Sequence, residues 1–217
     1  MSKQHEFRRG FWQNANIFIA NAITHNFVLI QALGLTPILA AGVTLKQGVA
    51  LTVCAAVVQL PLAFIMGLVG NRLAKWLRPA LYVLLASLLM VGAAYILEVF
   101  ISPELYAKLY LFIPLMAVNM LHSRNSGMAS VIRPLATIAD GLGSTVGFGL
   151  VICLISALRE MAIYDTLWDI PLGYTVAFPE AAAPFAAFIL LGFLAAFLQW
   201  IRQRVSAYFR KREEENA

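Results

Sequence analysis

An all-α membrane protein of six transmembrane helices, arranged as two inverted three-helix repeats with broken first and fourth helices, is the fold this sequence predicts. Three observations predict it. Of the 217 residues, 61% are hydrophobic and 12% are charged, against roughly 45–50% and 25% in soluble domains. Six apolar runs reach the length of about 20 residues that a hydrocarbon core requires. The first and fourth of these runs, three crossings apart, share a proline near the middle, Pro37 and Pro114.

Taken in order, residues 1–25 form an N-terminal interfacial segment. The stretch FWQNANIFIANAI (11–23) alternates apolar residues with Asn14, Asn16 and Asn21, as expected of a helix at the headgroup boundary with Phe11 and Trp12 as anchors. The same stretch can also be read as an extension of the first span. No apolar core followed by a small-residue cleavage site is present, so no removable signal peptide is expected. The transmembrane domain covers 26–203, with spans at 26–45, 47–70, 80–101, 105–122, 139–158 and 181–201, and with repeats over 26–101 and 105–203. GNRLAKWLRP (70–79) separates the second and third spans and places Pro79 where a first helical turn tolerates it. EMAIYDTLWDIPLGYTVAFPE (160–180) is too mixed to span and reads as an interfacial loop. The tail, 204–217, is basic and then acidic; its basic part suits anionic membrane lipids.

Charge placement supports the count independently, because cytoplasmic loops collect Lys and Arg. With the N-terminus inside, thirteen of the sixteen basic residues fall on inner segments and only Lys46, Lys108 and Arg159 on outer ones. Both termini are therefore expected to be cytoplasmic, in a bacterial inner membrane. The net charge of +5 does not read as a nucleic-acid surface, since the basic residues punctuate apolar spans and form no single face.

Pro37 in LGLTPILAAG and Pro114 in LFIPLMAVNM interrupt the first and fourth spans. A proline inside a helix removes a hydrogen bond and clashes with the preceding turn. In lipid the freed groups must face protein or a cavity. Ordinary kinks are one reading. Half-helices meeting near the midplane are the other: three is odd, so the second repeat enters from the opposite side. On that reading Gly34, Thr36, Pro37, Pro114, Asn119 and Met120 line a central site. Asn119 is expected to bond broken backbone, and Gln31 and Gln59 to do the same.

Asp140, followed by Gly141, opens the fifth span either as a helix-capping anion or as an ion port. Gly143 and Gly147 make a G-x-x-x-G pair for close helix packing. Arg159 and Glu160 end that span on the outer side, stabilising the helix end or pairing with a partner. His25 and His122 are expected at the solvated inner boundary. Cys54 and Cys153 lie inside apolar runs without redox or disulfide spacing, and read as small core residues. No Ser–His–Asp arrangement, phosphate loop or H-E-x-x-H is present, so no catalytic residue is assigned and no metal is expected.

Three blocks carry a resemblance to a known family: NFVLIQALGLTPILA, YLFIPLMAVNM and ADGLGSTVGFGLVICLISALREM. They resemble, in order and at natural spacing, patterns of the first, fourth and fifth helices of the small membrane subunits of the Rnf/Nqr family. The resemblance implies a component of an ion-translocating electron-transport complex, working with complex subunits and paired with a sibling. It also implies two cysteines, through which sibling subunits hold an iron–sulfur centre in the membrane. At those positions this chain has Thr36 and Met120. A neutral hydroxyl and a thioether do not replace anionic thiolates. The sequence therefore reads as a family variant without cofactor. A stand-alone homodimeric transporter or channel-like protein for a small solute or ion, built on the same fold, is the other reading.

Overall fold

A computed structural model describes residues 14–15, 17–19, 21–22, 26, 28–29, 35–69, 72–74, 76–113, 134–171, 173 and 178–215. Within them the chain is helical apart from turns and one minimal hairpin. The helices are α1 (Leu45–Val69), α2 (Leu77–Phe100), α3 (Pro103–Leu109), α4 (Pro134–Tyr164) and α5 (Pro184–Glu215). A π-helical segment, Pro37–Ala41, precedes α1, and a 3-10 turn, Pro179–Ala182, precedes α5. Strands β1 (Thr166–Leu167) and β2 (Ile170–Pro171) pair antiparallel, Thr166 opposite Pro171 and Leu167 opposite Ile170.

Among the described residues, four helices are long and apolar enough to cross a membrane: α1, α2, the 135–164 part of α4 and the 184–201 part of α5. They coincide with the expected second, third, fifth and sixth spans. The expected first and fourth spans, those of Pro37 and Pro114, hold only short helical pieces within the described residues. Pro61 lies inside α1 without interrupting it.

The core is a three-helix sandwich with α1 in the centre. Its buried stripe of Leu51, Cys54, Ala55, Val58 and Leu62 meets α2 on one side and α4 on the other. On α2 a single face is buried, Tyr82, Ala86, Met90, Ala93 and Leu97, spaced three to four residues apart as one helical stripe requires. The other face of α2 is bare: Leu84, Leu88, Val91, Tyr95 and Val99 are exposed, as lipid-facing residues are. Contact with α4 is made by small residues. A Cβ on Gly149 would lie 2.5 Å from Thr52 Cγ2, one on Gly141 2.8 Å from Ala63 Cβ, and one on Gly48 2.9 Å from Ser156 Oγ. The order of these pairs makes α1 and α4 antiparallel.

Of the boundaries that differ from those the sequence predicts, two bear on the site. The fifth span is expected to end at 158, but α4 continues to Tyr164, carrying Arg159 and Glu160 inside the helix. Both residues are almost completely buried. A charge count stops a span at such residues; the helix continues because their charges meet backbone partners supplied by other elements. The expected loop over 160–180 begins accordingly later, as the β1–β2 hairpin. Asp165, Trp168 and Asp169 there adopt positive φ of 53°, 57° and 64°.

Candidate functional site

At Thr36 the chain passes from α-helical into π-helical winding. This residue has helical backbone angles and no capping bond from its side chain, and Pro37 follows at the first position of the π-helical segment. From there the chain closes by the Gly42 N–H donating to Pro37 O at 3.0 Å. Single π turns of this kind are rare and concentrate at functional sites. Thr36 is exposed while Pro37, Ile38 and Leu39 are buried, so the residue standing where the resemblance implies a first cysteine lies on the surface of this chain. Gly34, Pro114, Asn119 and Met120, together with Gln31, His25 and His122, lie outside the described residues.

The reversal from the π-helical segment into α1 is fixed by three devices. Thr44 and Gln47 form a reciprocal cap: the Gln47 side chain accepts from the N–H groups of Val43 and Thr44, both at 3.1 Å, while Thr44 Oγ1 accepts from Gln47 N–H at 3.4 Å. This is a capping box, and its T-x-x-Q pattern could have been found in the sequence. Glu160 accepts from Leu45 N–H at 2.6 Å, placing a carboxylate at the positive end of α1. Arg159, also buried, donates from Nη1 to the carbonyls of Ile38 (3.4 Å), Leu39 (3.1 Å) and Gly42 (2.9 Å), the negative end of the interrupted helix. Its Nε and Nη2 donate to Ala181 O (3.0 Å) and Ala182 O (2.6 Å) in the turn before α5.

Neighbours in sequence, Arg159 and Glu160 thus serve two chain ends of opposite polarity. Glu160 Oε1 also accepts from Asp169 N–H at 3.3 Å and from Thr166 Oγ1 at 3.4 Å, and Lys46 forms an ion pair with Asp169. The hairpin is thereby tied to the start of α1. Within the chain the Arg–Glu pair thus bonds with the π-helical turn, with α1, with the hairpin and with the turn before α5.

At the opposite end of α4, Asp140 accepts a hydrogen bond from the Asn21 amide. Gly143 and Gly147 form the close contact their spacing implies: a Cβ on Gly143 would lie 2.6 Å from Phe18 O, and one on Gly147 2.8 Å from Asn26 Nδ2 and 3.0 Å from Ala22 O. Asn26, buried, donates to Gly147 O at 2.8 Å and Ala22 O at 3.2 Å, and accepts from Val28 N–H at 3.0 Å. The described residues of 18–26 therefore run along α4 in its own direction. Gly141 O accepts from Ser144 Oγ (3.0 Å) and Thr145 Oγ1 (2.8 Å). Gln59 joins three helices: its amide donates to Ser144 Oγ at 3.5 Å and its oxygen accepts from Tyr82 at 3.3 Å.

Where the resemblance implies cysteines the chain has Thr36 and Met120, of which only Thr36 lies among the described residues; a neutral hydroxyl there offers iron no thiolate. Among the described residues no three His, Cys, Asp or Glu side chains come together. The thiols are separately engaged: Cys54 Sγ lies 3.9 Å from Met90 Sδ, and Cys153 Sγ 3.8 Å from Thr52 Oγ1. Sequence reasoning missed Asn26, Thr44, Gln47 and Ser156. The last has a completely buried hydroxyl with no hydrogen-bond partner among the described residues.

A family model described as "Rnf-Nqr subunit, membrane protein" matches residues 14–195. A Shewanella oneidensis protein, named as a component of an ion-translocating oxidoreductase complex, is 28% identical over 225 residues, covering 96% of this chain and 90% of its own. Proteins named in the same way from Shewanella loihica (28% identical, 92% and 88% covered) and Pseudoalteromonas atlantica (26% identical, 95% and 90% covered) are similar over nearly the same extent.

Proposed function

We propose, from the premise that the chain belongs to the Rnf-Nqr family of membrane subunits, that it is an integral component of an ion-translocating electron-transport complex and holds no iron–sulfur centre of its own. The observation that carries the reading is the similarity along almost the whole chain to components of such complexes, set against the chemistry of Thr36. A hydroxyl at this position cannot supply the thiolate that cluster iron needs. The chain keeps the scaffold of the broken crossing, and its work there is to pair with a sibling subunit across the face that exposes Thr36.

Six crossings in two inverted repeats, with both termini on the cytoplasmic side of the inner membrane, are the arrangement that fits this role. The positions of the four long helices support it, as does the crowding of basic residues on one set of loops. The test is purification from native membranes in mild detergent. The chain is expected to co-purify with a second small six-helix subunit and with flavin-carrying and iron–sulfur subunits. Expressed alone, it is expected to contain no stoichiometric iron or acid-labile sulfide. A partner-free homodimer from native membranes would overturn the complex reading in favour of a stand-alone transporter. Stoichiometric iron in the isolated chain would overturn the loss of the centre.

A further inference from the structure

We infer that the carbonyl cluster at the end of the interrupted first crossing is a cation-binding cage with a built-in occupant, the Arg159 guanidinium. Five carbonyl oxygens from two separate elements, those of Ile38, Leu39, Gly42, Ala181 and Ala182, converge on this one buried side chain at 2.6–3.4 Å. Its neighbouring carboxylate is directed to Leu45 N–H, Asp169 N–H and Thr166. These five partners of the guanidinium are all neutral dipoles, the coordination a free cation receives at the exposed carbonyl end of a half-helix in a membrane. About one turn earlier on α4, the buried hydroxyl of Ser156 has no partner among the described residues and does not bond the guanidinium. A Cβ on Gly42 would lie 2.9 Å from Ser156 Oγ, so the hydroxyl sits directly against the cage-forming turn.

A guanidinium suits this cage better than a spherical ion. Its N–H groups lie in one plane and point outward in a fixed fork, and here three different nitrogens reach two different elements. Lysine would bring the charge but only a single point of attachment. Arg159 is in these terms a tethered cation that plugs one end of the broken crossing and fastens it to the turn before α5. The inference needs only the geometry at this end and stands apart from the assignment to a complex.

Chemical rescue tests it. In the full chain in mild detergent, Arg159→Ala is expected to lower the thermal midpoint by about 5 °C or more, since it takes this donor from the carbonyls of the buried Ile38, Leu39 and Gly42. Guanidinium chloride at about 20 mM, far below denaturing levels, is expected to restore at least half of that loss saturably, as a ligand of the folded state does. The unsubstituted chain should gain nothing. An unchanged midpoint in Arg159→Ala, a loss that guanidinium leaves in place, or equal restoration by sodium chloride overturns the inference. Should Arg159→Ala fail to accumulate, the intact chain with 15N-labelled arginine decides. One side chain, absent from the spectrum of Arg159→Lys, must show Nε–H and Nη–H protons exchanging slowly with water. Fast exchange of every arginine side chain overturns the inference equally.

Discussion

Asn26 shows how a single polar residue can tie a chain segment to a neighbouring helix. Its amide and carbonyl reach three backbone groups, two in its own segment and one on α4. Replacement by the similarly sized Leu leaves Val28 N–H and Gly147 O without these partners in a buried site. That costs about 1–3 kcal/mol, more than the roughly 0.6 kcal/mol of an average side-chain bond between membrane helices, because here the backbone itself loses its partners. Asn26→Leu is accordingly expected to lower the thermal midpoint in detergent by about 2–10 °C, read by scanning fluorimetry or by loss of the monodisperse peak after heating. An unchanged midpoint would mean that the segment is held by apolar packing alone. Asn26 could have been suspected from sequence as an amide within an apolar run, but only the fold brings Gly147, 121 positions away, to it.

Among the elements, α4 organises the described structure, and it does so by having little side-chain volume where neighbours cross it. Gly143 and Gly147 receive the 18–26 segment, while Gly141 and Gly149 receive α1. The G-x-x-x-G spacing made the first contact legible in the sequence. The second was harder to see, because its partners Ala63 and Thr52 are ordinary residues in a uniformly apolar helix. The end of α4 was illegible for a different reason: Arg159 and Glu160 look like the edge of a membrane span until their remote backbone partners are known. Similarly, Pro37 marked this segment as unlike an ordinary helix, but the sequence did not specify its π-helical winding. Glycines along the bundle should therefore respond unequally to substitution. Gly143→Leu forces a Cβ to within 2.6 Å of a backbone oxygen, which cannot swing aside. Such overpacking costs about 1–3 kcal/mol or more. Gly92, on α2, has nothing within 4 Å of an added Cβ, and Gly92→Ala should be neutral or stabilise by up to about 1 kcal/mol through helix propensity. Thermal midpoints of the two variants, compared in one detergent, should move apart; equal effects would contradict the packing described for α4.

For the whole molecule, the uneven distribution of bare apolar surface matters most. In α5 only Ala187 and Leu191 are buried among the described residues, whereas Phe185, Phe188, Phe193, Phe197 and Trp200 are exposed. Arg204 lies 5.4 Å from the centre of the Trp200 ring, an aromatic and cationic pairing suited to a membrane boundary. Lipid satisfies such a surface without further structure, since it needs no hydrogen bonds. Thr36 is different: it is an exposed hydroxyl on the break of a crossing, immediately before a buried π turn. If that face meets a sibling subunit, its accessibility must depend on assembly. The native thiols differ in exposure, Cys54 at 0% and Cys153 partly buried, so both are best removed with Cys54→Ala and Cys153→Ala before a single reporter, Thr36→Cys, is introduced. In the isolated chain in detergent this thiol should react readily with a small maleimide. In the assembled complex a partner that excludes water from the face should slow the reaction on the order of tenfold or more. Equal rates in the two states would leave Thr36 on a lipid or solvent face, and the pairing across the broken crossing would have to be abandoned.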